Sequence, residues 1–337
     1  LRTFLYKILS FIVGFFLITV CIEVFLKFSE IKLPFKTLDP KIGKTYQSNS
    51  LINETKEGFY MGKTNEYGFI GNINKKENTF RIALFGDSFT EGFQVFEPYK
   101  FSRVLEKSIN ENSKLKVEIL NFGISNVVLP EIYIRKKRLA EKFDIDLFVY
   151  VFDSYDFFFQ PEGILNSVEL IEKDNGLSII PNTSKSYQLY QKAKPIIDNS
   201  SYINFAFDGY LLVRRGQAFP KLFDKLYSGN TVNNSTGISN NPFENLTPKY
   251  LKIISEMAKD NTVFIFRENA DGKLKSTIAP YNIPIIETEE VLNNLRQNGV
   301  NPYYWESTQT IGHFNYMANH AFGNYISDKL VPFIKKK

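Results

Sequence analysis

The chain has 337 residues, 43% of them hydrophobic, and its 41 Lys and Arg against 36 Asp and Glu give a formal charge of +5. That apolar share excludes wholesale disorder, and the length permits one large domain or two small ones. The basic runs are short, Arg135-Lys136-Lys137-Arg138 and the three closing lysines, so no nucleic-acid partner is expected. One cysteine excludes an intramolecular disulfide and a CxxC metal site, and two histidines leave any histidine chemistry two candidates.

Residues 8–26 (ILSFIVGFFLITVCIEVFL) carry one charge, Glu23, and are apolar on every face. At about 1.5 Å per residue such a helix spans nearly 30 Å, the thickness of a hydrocarbon core. Arg2 and Lys7 precede it, which places the start on the cytoplasmic side and the remainder outside, although Lys27 and Lys32 weaken that bias. No small-x-small cleavage site is evident, and Cys21 follows Val20 where a lipoprotein signal needs a small residue. The expected division is an anchor over 1–28, a juxtamembrane segment of little periodicity over 29–79, and an α/β domain over 80–334.

From Phe80 the character changes. Short apolar runs at 80–85 (FRIALF), 115–120 (LKVEIL), 146–152 (DLFVYVF), 262–267 (TVFIFR) and 283–287 (IPIIE) read as five buried strands. Helical spacing falls at 99–111, 130–142 with the RKKR run as a solvated face, 247–259, 288–297 and 317–334. Strands alternating with helices predict a doubly wound parallel sheet, whose ligands bind at the carboxyl ends of the strands. Residues 160–245 break the alternation and read as an insertion, either a cap or a plain helical excursion. Their centre holds an aromatic, partly basic stretch at 202–219 (YINFAFDGYLLVRRGQAF) that includes Arg214-Arg215, read as a solvated pair.

The first strand runs straight into Gly86-Asp87-Ser88-Phe89-Thr90-Glu91-Gly92. A serine at a strand-to-helix turn stands at the carboxyl edge with its hydroxyl and its N–H facing one space, which suits a nucleophile that also lends an oxyanion donor. The plainer reading is a turn serine capping the next helix. His313 is open to two readings, a general base or a cap of the last helix. His320 lies inside that predicted helix and reads as a surface residue. The aromatic run Phe157-Phe158-Phe159 would line a pocket or pack the core. Nothing has metal-ligand spacing, so neither a metal nor a cofactor is expected.

These residues resemble the SGNH (GDSL) hydrolase superfamily. Thr64-Asn65-Glu66-Tyr67-Gly68-Phe69 resembles the TN-x-x-GF element that precedes the first strand in a membrane-attached or secreted branch. Residues 81–92 resemble block I, with Ser88 as nucleophile. Asn121-Phe122-Gly123-Ile124-Ser125 resembles block II, which implies an oxyanion donor from the Gly123 N–H. Gly312-His313-Phe314-Asn315 resembles block V, with His313 as base. The resemblance implies a flavodoxin-like sheet and a serine esterase or acyltransferase working through a Ser88 acyl-enzyme. With an anchor, the implied partner is an ester substrate such as an O-acylated envelope or extracellular glycan, and the catalytic domain is periplasmic or extracellular.

Two positions depart from the pattern. Block III would supply an Asn, but the corresponding stretch is Phe152-Asp153-Ser154-Tyr155-Asp156, with Tyr155 in its place. Block V would carry an Asp shortly before the histidine, where this chain has Thr310 and Ile311. Glu306, Asp153 and Asp156 stand as alternative orienting acids. The second reading is a binding or scaffold protein that keeps the fold without turnover.

Overall fold

The computed structural model describes residues 2–29, 36–71, 73–74, 78–113, 116–157, 166–174, 176–214 and 246–334. Among them, the contacts divide the chain into two compact units, one combining the first helix with two helices of the long insertion, the other holding the rest.

In the first unit, α1 (Arg2–Phe28) is long and apolar enough to cross a membrane, and it is exposed along almost its whole length. The one charge within its apolar stretch 8–26 has a defined place. Glu23 accepts the backbone N–H groups of Ser201 (3.0 Å) and Tyr202 (2.8 Å) and the hydroxyl of Ser200 (2.8 Å). These are donors at the start of the Ser201–Arg214 helix, left without intrahelical partners by the geometry of any helix start, and a carboxylate there also opposes the positive end of the dipole.

The second unit opens with four short strands that the sequence did not signal: β1 (Lys36–Asp39), β2 (Gly43–Tyr46), β3 (Leu51–Glu54) and β4 (Tyr60–Lys63), forming two small two-stranded sheets. The central sheet follows, with β5 (Phe80–Gly86), the short α2 (Ser88–Glu91), α3 (Phe101–Asn112), β6 (Val117–Asn121), α4 (Leu129–Arg138) and β7 (Leu147–Phe152). Within 160–245 a hairpin, β8 (Val168–Lys173) with β9 (Gly176–Pro181), belongs to this unit, while α5 (Lys185–Asn199) and α6 (Ser201–Arg214) belong with α1. Residues 215–245, which include Arg215, lie outside the described residues, as do Phe158 and Phe159. The chain then returns through α7 (Pro248–Met257), β10 (Thr262–Phe266), α8 (Gly272–Ile278), β11 (Ile285–Glu287), α9 (Glu289–Gln297), the two-residue pair β12 (Tyr304–Trp305) and β13 (Thr310–Ile311), and α10 (Tyr316–Leu330).

Five parallel strands lie in the order β6-β5-β7-β10-β11, the flavodoxin-like doubly wound arrangement expected from the apolar runs. Every residue of β5, β6, β7 and β10 is buried, as helices on both faces require. The α3 and α10 helices pack on one face, where Phe101, Leu105, Phe314, Phe322 and Ile326 join the strand side chains in one core. Phe157 is core as well, its ring 4.7 Å from that of Phe152 and 5.9 Å from that of Phe266.

The RKKR run departs from expectation. Arg135 and Lys136 are buried, and only Lys137 and Arg138 face solvent. Lys136 bridges Glu141 (2.8 Å) and Asp260 (2.7 Å). Arg135 donates to the carbonyls of Phe122 (3.2 Å) and Lys44 (2.9 Å). The helix face that the charges suggested was solvated instead contacts the small sheets and α7, because those elements supply the acceptors that make burying a cation tolerable.

Candidate active site

Ser88 is the first residue of α2, directly beyond the carboxyl end of the interior strand β5. Asp87 caps the helix, accepting the Phe89 N–H at 3.0 Å. The serine thus sits at a helix start, where backbone N–H groups lack intrahelical partners, and its hydroxyl faces His313. His313 Nε2 lies 2.7 Å from Ser88 Oγ. The sequence reading named both residues, His313 as base through the family resemblance, and the fold brings positions 88 and 313 together.

The carboxylate that meets the far side of His313 is a residue the sequence reading missed. Glu57, in the connection between β3 and β4, holds its two carboxylate oxygens 3.0 and 2.9 Å from His313 Nδ1 and accepts the His313 backbone N–H at 2.8 Å. A carboxylate can only accept, so Nδ1 carries the proton and Nε2 is left to accept from Ser88. Burial acts to raise the Glu57 pKa, but the side-chain and backbone hydrogen bonds from His313, the His313 charge and Lys56 together hold it below the ordinary value. Glu306 is exposed, and Asp153 and Asp156 serve other bonds, so none of the three acids named from the sequence takes this place.

Gly312 explains how Glu57 gets so close. A Cβ at that position would stand 2.3–2.6 Å from the Glu57 carboxyl atoms, so only a glycine leaves the acid room beside the histidine. The imidazole is held from other sides too. Trp305 donates its indole N–H to the His313 carbonyl (3.0 Å), and the Phe89 ring lies 4.6 Å from the imidazole.

The TN-x-x-GF element fastens this acid-bearing segment to the sheet. It follows β4 directly. Asn65 Oδ1 accepts the N–H groups of Tyr67 (2.9 Å) and Phe69 (3.3 Å), its amide donates to Gly71 O (3.0 Å), and Gly68 takes a φ of 74°. That tight turn aims Phe69 at Phe122, ring centres 4.7 Å apart, and lets Ile70 bridge Asn121 at the end of β6. Farther along the same segment Tyr60 stacks on Phe93 at 4.9 Å, with the buried Lys100 ammonium 4.0 Å from the Tyr60 ring centre.

Gly123 stands at the same edge as Ser88, where the end of β6 meets α2. A Cβ there would lie 2.6 Å from Glu91 N and 2.7 Å from Thr90 C, so the glycine serves close packing. Its N–H donates to Asn121 Oδ1 at 2.9 Å. The donor that the family resemblance implied is therefore already engaged in this arrangement.

At the block III position the Tyr155 side chain lies outside the described residues. Its neighbours form a charged cluster beside Ser88. Arg267, at the end of β10, lies 3.3 Å from Asp87 Oδ2 and 3.6 Å from Asp153 Oδ2, and its guanidinium carbon sits 3.9 Å from the Phe89 ring centre. Asp156 accepts the Asp153 N–H at 2.7 Å, and burial followed by the nearby Asp87 charge pushes its carboxyl up to about 7. His320 is exposed on α10, where its ring nitrogens face Asn324. Among the described residues no group of three or more His, Cys, Asp or Glu could hold a metal ion.

No family model matches the chain, and no curated protein matches it. Solved structures do resemble it. A lipase/acylhydrolase from Enterococcus faecalis is 14% identical, with 77% of this chain and 98% of that chain covered and a TM-score of 0.39. A carbohydrate acetylesterase from Sinorhizobium meliloti is 9% identical, with 76% and 100% covered and a TM-score of 0.37. An acetyl xylan esterase is 12% identical, with 76% and 100% covered and a TM-score of 0.36.

Proposed function

We propose that the protein is a serine esterase or acyltransferase of the SGNH type that acts on acyl esters. The observation that carries this reading is the continuous chain Glu57–His313–Ser88, each link within hydrogen-bond distance. His313 Nε2 takes the Ser88 proton as Oγ adds to the ester carbonyl, and the carbonyl electron pair moves onto its oxygen. The imidazolium that forms is stabilised by Glu57, then returns its proton to the departing alkoxide, leaving an acyl-enzyme on Ser88. A water or a second hydroxyl, activated the same way, completes hydrolysis or transfer. The binding-protein alternative drew its motive from two departures, the block III Asn replaced by Tyr155 and the missing block V acid, and Glu57 beside His313 answers the second of them.

The substrate reading is an O-acylated envelope or extracellular glycan, reached by a domain that α1 anchors outside the membrane. Support comes from α1 and from the surface beside the histidine. Tyr316 and Tyr99 are exposed with ring centres 5.4 Å apart, and Tyr316 lies 5.8 Å from the buried Trp305, whose indole binds the His313 carbonyl. Such rings offer a flat apolar face with a polar tip, which suits a sugar ring with its hydroxyls. The test is acetate release by the full chain from an O-acetylated polysaccharide and from p-nitrophenyl acetate. Turnover lost in Ser88→Ala is the expected result. Turnover retained in that variant, or absent from a folded parent on both substrates, rejects the proposal.

A further inference from the structure

In the unit formed by α1, α5 and α6, the first turn of α6 is fixed to a residue inside the apolar stretch of α1. Glu23 lies three residues before Leu26, where that stretch ends, and takes its donors from Ser200, Ser201 and Tyr202. Lys27, one turn farther along α1, adds an ion pair at 3.2 Å. At about 1.5 Å per residue, the start of α6 is held roughly 5 Å inside the end of the apolar stretch. In a bilayer crossed by α1, that level is the boundary between headgroups and acyl chains. A carboxylate is tolerated there when its lone pairs are occupied, and the three donors and Lys27 occupy them.

The two helices attached at this level carry apolar side chains outward. On α6, Ile203, Phe205 and Tyr210 are exposed, Phe205 by 52% and Tyr210 by 57%, and the helix sequence holds one charge, Asp208, before Arg214. Its 14 residues reach about 21 Å, too short to cross a hydrocarbon core of about 30 Å. Tyr190 and Phe207, ring centres 6.4 Å apart, join α5 to α6. The outward stripe of α5 is Lys185, Leu189, Lys192 and Ile196, at the i, i+4, i+7 and i+11 spacing of one helix face, with Leu189 70% and Ile196 57% exposed. Lysine stems lie along apolar surface while their ammonium groups reach outward, here toward headgroup phosphates. Lysines set between large apolar residues fit a lipid surface, whereas the core of a protein–protein contact is depleted of them.

We propose that α5 and α6 form a lipid-docking element that lies in the interfacial layer of the membrane α1 enters, with Leu189, Ile196, Phe205 and Tyr210 among the upper acyl chains and Glu23 fixing their depth. The inference rests on the reading of α1 as a membrane span and is independent of the Ser88 chemistry. The part of the long insertion that folds with α1 then gives the chain a second hold on the same leaflet. A span secured only by its own helix can turn about its axis, and two further helices lying in the interface oppose that turn.

The test uses the full chain in vesicles of phosphatidylcholine and phosphatidylglycerol, with Cys21→Ser as the background and a nitroxide on one introduced cysteine at a time. Oxygen partitions into lipid and a nickel chelate stays in water, so their relaxation of the nitroxide reads its depth. Phe205→Cys and Ile196→Cys change exposed side chains, and melting curves matching the background show that the variants fold. Oxygen should relax both, and the chelate should reach them at least about fivefold less than it reaches Gln297→Cys, an exposed position of the second unit. Phe15→Cys, in the middle of α1, reports the span. Glu23→Leu leaves the first amides of α6 without their acceptor, so chelate access at Ile203→Cys should rise about twofold or more. Equal chelate access at Phe205→Cys and Gln297→Cys, with Phe15→Cys protected, overturns the docking while α1 still spans. Protection of Phe205→Cys from both reagents marks a face covered by a second copy or another protein and overturns it as well. Access at Ile203→Cys unchanged by Glu23→Leu overturns the role given to Glu23. Chelate reaching Phe15→Cys removes the span and the inference with it.

Discussion

Replacing Glu57 by Gln tests how the histidine is held. The change conserves shape and removes one charge. In the parent, both carboxylate oxygens lie within 3.0 Å of His313 Nδ1, and one also accepts the His313 N–H. A carboxamide can turn its N–H₂ toward Nδ1, which moves the imidazole proton to Nε2 and points a donor at Ser88 where an acceptor is needed. The same exchange in a well-studied Ser-His-Asp triad lowers kcat about 10⁴-fold, and a loss of about 10³–10⁴ is expected here with little change in KM. Stability should change with pH in a defined direction. The folded-state pKa of Glu57 is lowered, so its contribution is complete above the ordinary value of 4.5 and is lost as pH falls through the lowered one. Glu57→Gln should therefore melt below the parent at pH 7 and approach it in strong acid. Steady-state kinetics on p-nitrophenyl acetate and melting curves at both pH values provide the assay. A folded Glu57→Gln protein whose kcat stays within tenfold of the parent refutes the role given to this acid.

Other perturbations follow from single contacts. Gly312→Ala places a Cβ 2.3–2.6 Å from the Glu57 carboxyl atoms, so it should lower kcat about 10²-fold or more while leaving the sheet intact by circular dichroism. Gly123→Ala meets the backbone of α2 at 2.6 and 2.7 Å and should cost about 1–3 kcal/mol in urea unfolding, because backbone yields less readily than a side chain. Asp156 has a raised folded pKa of about 7, so burying its ionised form costs stability that grows as pH rises from about 4 to 7. Asp156→Asn should accordingly raise stability at pH 8, on the order of 1–2 kcal/mol, and gain little at pH 4. Lys136→Met leaves Glu141 and Asp260 without their shared cation and should destabilise by about 1–3 kcal/mol, the half-exposed acids keeping the loss below that of a fully buried pair.

The five central strands were legible because parallel strands covered on both faces are written as continuous apolar runs, and each run here ends within a few residues of its observed strand. Ser88 and His313 were legible because they stand beside local patterns, one at a strand end and one ahead of the last helix. Glu57 was not. It lies in a connection between two four-residue strands, where the backbone makes no periodic demand on the sequence. Its role comes from a contact across 256 positions of chain, which no spacing within its own segment encodes. The TN-x-x-GF element just beyond it was the usable clue, since its turn is what fastens that segment to β6. Arg135 and Lys136 misled for a related reason. A basic run on a helix reads as solvated until one knows that the Phe122 and Lys44 carbonyls and Asp260 wait opposite it. The α5 and α6 helices were obscured because polar Asn and Ser patches flank an aromatic stretch whose N-terminal amides find their acceptor on α1.

The central claim is that Ser88 is a nucleophile activated by His313. A serine-directed fluorophosphonate probe reacts with an activated hydroxyl and needs no knowledge of the natural substrate. Peptide mapping of the labelled full chain should place the adduct on Ser88, with labelling absent in Ser88→Ala and slowed at least about 10²-fold in His313→Ala. An adduct on another residue, or none on a folded parent, would contradict the account.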